Sequence, residues 1–369
     1  MNPFVVIGYR GNETFCDREN ETRALIKNLK NGRNTCIISP RRLGKTALIY
    51  HVFANLKDWV CVYVDLNLCN NLDDFLKSLA SSLANIPSAH KFSFLELLTS
   101  LKFSVEMDAL TGQYSVGFNL VRPGDNKKSV SELLKIIAKQ KNVVIALDEF
   151  QQILSFKEAQ VEGWLRAEAQ QHSSIRFIYS GSQQRVLHEM FGSNKRPFFH
   201  SAELMTLTSI PKDVYTNFIV DQFKKGKKSI SKDVAGFIYD YCLGFTAYIQ
   251  LVCNHLYDDT LRIVKEDSVL TTVGELLKQY EPFYLKLKKP ITDMQFRVLY
   301  AVAKLKKVYA ITGNEFMSAA GITNPSSASK AIASLLKYDL IYTDTDASGK
   351  EFFSIDDVLF LRWLERQSI

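Results

Sequence analysis

Two short clusters in this chain have the residue types for phosphate chemistry: Gly44-Lys45-Thr46 and, well downstream, Asp148-Glu149. Lys45 offers a cation for phosphate oxygens and Thr46 a hydroxyl for a magnesium ion. The backbone N–H groups of a tight loop, with the positive end of a following helix, can surround an anion. The elements that must position these groups are a strand before the loop and a helix after it. Cys36-Ile37-Ile38 is an apolar run, and Ala47-Leu48-Ile49-Tyr50 continues as helix, so strand, loop and helix follow in the required order. The nucleotide-binding residues are thus expected to be Ser39, Pro40, Arg41, Arg42, Leu43, Gly44, Lys45, Thr46 and Ala47. Val143 to Leu147 reads as a buried strand that delivers Asp148 and Glu149 to its carboxyl end, where open α/β sheets bind ligands. Asp148, with Thr46, is expected to hold magnesium, the aspartate through water. Glu149 is expected to be catalytic by orienting and polarising the water that attacks a γ-phosphate, and Lys45 by the charge it supplies to the phosphates.

The pattern G-x-x-x-x-G-K-[ST] has glycine where this chain has Ser39, so the backbone at 39 is expected outside the conformations that only glycine adopts cheaply. With that departure, Pro40-Arg41-Arg42-Leu43-Gly44-Lys45-Thr46 resembles the Walker A motif of the archaeal-type ATPases, a clade of AAA+ and STAND P-loop NTPases that also occurs in bacteria. The resemblance extends over nearly the whole chain, and Walker A with Walker B (Asp148-Glu149) is its most specific part. It implies ATP and Mg2+ as cofactors. It also implies a third catalytic residue, Ser182, in the sensor position after the next strand; a helix-capping role for Ser182 is compatible with this. Phe15, Arg18, Glu19 and Glu21 match a segment that packs beside adenine in that group, and a plain amphipathic helix explains them equally well. Thr246 stands where the group has the proline of a Gly-x-Pro near the nucleotide, and no sensor-2 arginine is found in the expected place. Arg166 and Arg196 are candidates for an arginine finger, although a solvated or paired arginine is the more ordinary state.

The bulk properties exclude more than they select. At 369 residues the chain is long enough for two or three domains. The formal charge of +7 permits contact with nucleic acid without requiring it. The six cysteines form no C-x-x-C pair, so buried free thiols in a reducing compartment are expected rather than zinc ligands or disulfides. No leader layout and no apolar run of spanning length is present, which reads as a cytoplasmic protein without a membrane partner.

The expected fold class is α/β: a P-loop, three-layer, parallel-sheet core, then a helical lid, then a C-terminal winged helix-turn-helix. The core is expected over 1–210 with an inserted β-hairpin at about 101–121, the lid over 211–289 and the winged helix over 290–369. Core strands are expected near 36–38, 60–66, 143–147, 175–179 and 202–207. In the winged helix, Ser326 to Tyr338 is the recognition-type helix, and it carries only Lys330 and Lys337, with Asp344 and Asp346 in the wing. Duplex DNA and a packing or protein-partner role are both open for it. The expected function is a nucleotide-dependent switch that hydrolyses ATP, binds ATP and ADP, and engages a protein partner or a second copy of itself. The alternatives are a DNA-binding, initiator-like or regulatory ATPase and a nucleotide-binding scaffold with little turnover.

Overall fold

The computed structural model describes residues 1–86, 103–108, 113–118, 126–259, 262–346 and 348–367. They form two compact units. One comprises Arg18–Ser39 and Lys45–Thr208; the other comprises Met1–Asp17, Pro40–Gly44 and Ser209–Ile369. The division differs from a single cut near 210 in two places, because the first seventeen residues and the five residues of the loop pack with the C-terminal half.

The first unit is built on five parallel strands: β1 (Thr35–Ile38), β2 (Val60–Asp65), β5 (Val143–Asp148), β6 (Ile175–Gly181) and β7 (Glu203–Thr206), in the order β2-β5-β6-β1-β7. Every residue of β5 is buried, as expected for a central strand covered by helices on both faces. The apolar runs of the sequence are therefore the two inner surfaces of a three-layer sandwich. Between β2 and β5 lies a separate antiparallel pair, β3 (Phe103–Met107) and β4 (Tyr114–Phe118), in register Phe103↔Phe118 and Met107↔Tyr114. This is the expected hairpin; its Thr111-Gly112 turn lies outside the described residues. Helix Asn126–Ile137, which the sequence reading passed over, buries Val130, Leu133, Leu134 and Ile137 against the sheet core. That spacing is a helical face.

In the second unit, helices Lys212–Lys225, Lys232–Tyr241, Thr246–Asp258 and Glu266–Lys288 occupy the segment where a helical lid is expected. Helices Asp293–Leu305, Asn314–Ala320 and Pro325–Lys337 follow, with a wing of two antiparallel strands, Tyr342–Thr345 and Glu351–Ser354. Thr292 opens the first of these with a capping box, in which its side chain accepts from the Gln295 N–H and the Gln295 side chain accepts from the Thr292 N–H. A last helix, Val358–Glu365, is capped by Asp357 and buries Phe360, Trp363 and Leu364.

Candidate nucleotide site

The chemistry collects at the carboxyl end of the sheet. Asp65 and Asp148 end neighbouring strands in register, so two acids stand side by side before any ligand is considered. Asp148 is buried and fully hydrogen-bonded. Its Oδ2 accepts from Thr46 Oγ1 at 2.8 Å and from the Tyr63 hydroxyl at 2.7 Å. Its Oδ1 accepts from Ser180 Oγ at 2.6 Å and from the Glu149 N–H at 3.0 Å. Glu149 has φ +51, a left-handed backbone uncommon for such a residue. Its Oε2 accepts from Ser182 Oγ at 2.7 Å, the Ser182 N–H at 3.1 Å and Gln151 Nε2 at 2.6 Å. Lys45, at the start of helix Lys45–Ala54, is buried and donates from Nζ to the Ser39 carbonyl at 3.1 Å.

Crowding of like charge shows in the surrounding groups. Burial pushes the Asp65 carboxyl up, the Asn67 N–H opposes this, and Asp148 and Glu149 add to the rise. Burial and the neighbouring Asp148 raise the Tyr63 phenol far above its usual range. Three carboxyls and one lysine at a sheet end make a place that favours a cation. The donors are hard oxygens, a hydroxyl and a carboxylate already meeting at 2.8 Å, and they fit a magnesium ion that takes the rest of its shell from water and phosphate.

The sequence-predicted residues divide between the two units. Ser39, Lys45, Thr46, Asp148, Glu149 and Ser182 lie in the sheet unit, and Ala47 sits half-buried in the first turn after Thr46. Ser39 is fully buried and has no positive φ; the left-handed positions fall at Arg42 (φ 69) and Gly44 (φ 92). Only glycine adopts the latter without strain. Pro40–Gly44 pack in the other unit. There the Arg42 carbonyl accepts from the Ala247 N–H at 3.0 Å, and the Arg42 guanidinium lies 4.9 Å from the Tyr248 ring and 3.2 Å from Asp357. Among the described residues, the backbone N–H groups of Arg41, Arg42, Leu43 and Gly44 donate no hydrogen bond to the protein. They are the donors such a loop presents to an anion. Thr246 keeps its place beside the loop, with Cγ2 3.8 Å from where a Gly44 side chain would begin.

Arg18 is buried and ties its own helix to the end of the sheet, donating to the Thr208 carbonyl at 2.5 Å and to Glu21 at 2.8 Å. Arg196 is held by Glu162 at 2.7 Å, and the Arg166 Nε is buried without a hydrogen-bond partner among the described residues. Tyr63, Ser180 and Gln151 escaped the sequence reading, since each is an ordinary polar residue on an apolar run or in a turn. A signal existed for Tyr63 and Ser180: a hydroxyl within the last residues of a core strand.

A family model described as "Probable winged helix domain" matches residues 282–366. Among solved structures, the Walker-type ATPase of Pyrococcus abyssi matches with a TM-score of 0.68 at 14% identity, over 98% of this chain and 99% of that one. The chain shares the fold of a Walker-type ATPase. Two Aeropyrum pernix proteins share it as well. The ORC2 protein solved as ADPNP-ADP complexes matches with TM-score 0.56 at 14% identity, over 94% of this chain and 93% of that one. The ORC1 protein solved in complex with DNA matches with TM-score 0.52 at 12% identity, over 96% and 93%. No curated protein matches the sequence. The shared fold covers nearly the whole chain, the parallel-sheet unit and the winged-helix segment included.

Proposed function

We propose that this chain is a magnesium-dependent ATPase whose nucleotide state works as a switch. The observation that carries the reading is the meeting of Thr46 and Asp148 at 2.8 Å, with Glu149 next in sequence and Lys45 one residue before Thr46. Lys45 and the loop N–H groups bind the phosphates. Thr46 and Asp148 hold the magnesium ion, which when bound neutralises charge on the β- and γ-phosphate oxygens. Glu149 orients a water for attack on the γ-phosphate, and Ser182 fixes Glu149.

The switch rests on Arg42. A left-handed arginine costs about 1–2 kcal/mol. A cation–π contact and a half-exposed ion pair each return about 0.5–1 kcal/mol at most. The loop is therefore close to balance in the second unit, and a phosphate with differential affinity of a few kcal/mol suffices to tip it. Asp357 caps the last helix through the Phe360 N–H at 2.9 Å and accepts from the Tyr248 hydroxyl at 2.8 Å. Movement of Arg42 thus reaches the winged helix.

A second reading, duplex binding, is favoured by one specific likeness, the fold shared with a protein solved on DNA. The reading of an ATPase is tested by phosphate release with ATP and magnesium. Turnover is expected in the wild type and lost in Glu149→Gln, which keeps ATP binding. Binding of magnesium-ATP without turnover in the wild type would leave the nucleotide-binding scaffold in its place.

A further inference from the structure

The clamp on Glu149 is asymmetric. All three donors, Ser182 Oγ, the Ser182 N–H and Gln151 Nε2, converge on Oε2. Among the described residues no hydrogen bond reaches Oε1. One oxygen of this carboxylate is anchored and the other is left to accept from water.

Gln151 is placed for this by more than its own bond. It lies in the 3-10 turn Phe150–Ser155 directly after the acid pair and is buried. Its Oε1 is buried too, with no hydrogen-bond partner among the described residues, an arrangement that costs stability and is offset only in part by the bond that the other end of the amide makes. The space for that amide is made by Gly181. A methyl group there would stand 2.1 Å from Gln151 Oε1 and 2.9 Å from Leu187 Cδ1, while the backbone of Gly181 has no positive φ. Glycine is present at 181 for room, and the room is filled by Gln151. Glu149 itself holds a left-handed backbone that such anchoring sustains.

We infer that Gln151 is a positioning residue for ATP hydrolysis, one that fixes Oε2 of Glu149 so that Oε1 faces the attacking water. The inference rests on the ATPase reading above. In the step it serves, the water oxygen bonds to the γ-phosphorus and the bond to the bridging oxygen breaks. ADP leaves, and the water proton passes to Glu149 Oε1 and on to solvent.

The test is a double-mutant cycle on the full chain, read as phosphate release with magnesium and ATP, beside the affinity for labelled ADP. Gln151→Leu removes the donor at similar volume and is expected to lower kcat about ten-fold while KM and ADP affinity stay unchanged. In the Glu149→Gln background the same change should leave the residual rate where it was. Gly181→Ala, which displaces the amide without altering it, should reproduce the loss and serves should Gln151→Leu fold poorly. Wild-type turnover in both variants would overturn the assignment and leave the ATPase reading intact. So would an equal fold-loss with and without the Glu149 carboxylate, since a purely structural residue behaves that way. A wild-type chain that binds nucleotide and releases no phosphate would remove the ATPase reading and this assignment with it.

Discussion

At the scale of single residues, the proposed site is legible where chemistry demands a residue type and hidden where it demands only a donor. Lys45, Thr46, Asp148 and Glu149 announce themselves because a phosphate loop next to a strand-ending acid pair is a rare pattern. Tyr63, Ser180 and Gln151 do not, since any hydroxyl or amide brought close by the fold could serve. Asp148 and Glu149 are adjacent and yet held by different partners, in keeping with the separate roles proposed for them. Asp148 shares Thr46, so Asp148→Asn is expected to weaken magnesium binding about ten-fold or more and to raise the magnesium concentration needed for half-maximal turnover. A variant with unchanged magnesium dependence and lowered kcat would show that Asp148 and Glu149 act as one unit.

At the scale of elements, hydrophobic period named nearly every strand and helix of the described residues, because the buried faces of a parallel sheet leave continuous apolar runs. Helix Asn126–Ile137 was passed over although its apolar spacing is regular, and helix Val358–Glu365 although Asp357 precedes it as a cap. What the pattern cannot give is the use of the winged helix. Ile332 and Leu335 are buried, but within a cluster that includes their own domain, so their burial separates no reading from another. Charge is more decisive. Lys330 and Lys337 are exposed, while the wing carries Asp346, whose carboxyl is pulled down to about 2 by the Ser348 hydroxyl and the Lys350 N–H. Two exposed lysines on the helix, with acids in the wing, are a thin phosphate footprint. Replacing both lysines by alanine is expected to leave retention on duplex DNA unchanged between low and physiological salt. A salt slope reduced by about two contacts would instead establish that helix as the DNA-reading one.

At the scale of the molecule, the boundary that a linear reading draws near 210 is crossed twice by the chain, at Met1–Asp17 and at Pro40–Gly44. Neither crossing has a local signature, since both are paid in contacts to residues far away in sequence. Among the described residues no helix is long and apolar enough to cross a membrane. The loop Pro40–Gly44 groups by packing with Ser209–Ile369, and by sequence it joins the strand and the helix of the sheet unit.

The measurement that tests this most directly is the affinity of the full chain for labelled ATP in magnesium, compared with that of Lys45→Ala. Removing the charge that faces the phosphates is expected to weaken binding by at least about 30-fold, on the order of 2 kcal/mol, with the far-ultraviolet circular dichroism of the fold preserved. Equal affinity of wild type and folded Lys45→Ala would contradict the assignment of this loop as the nucleotide site.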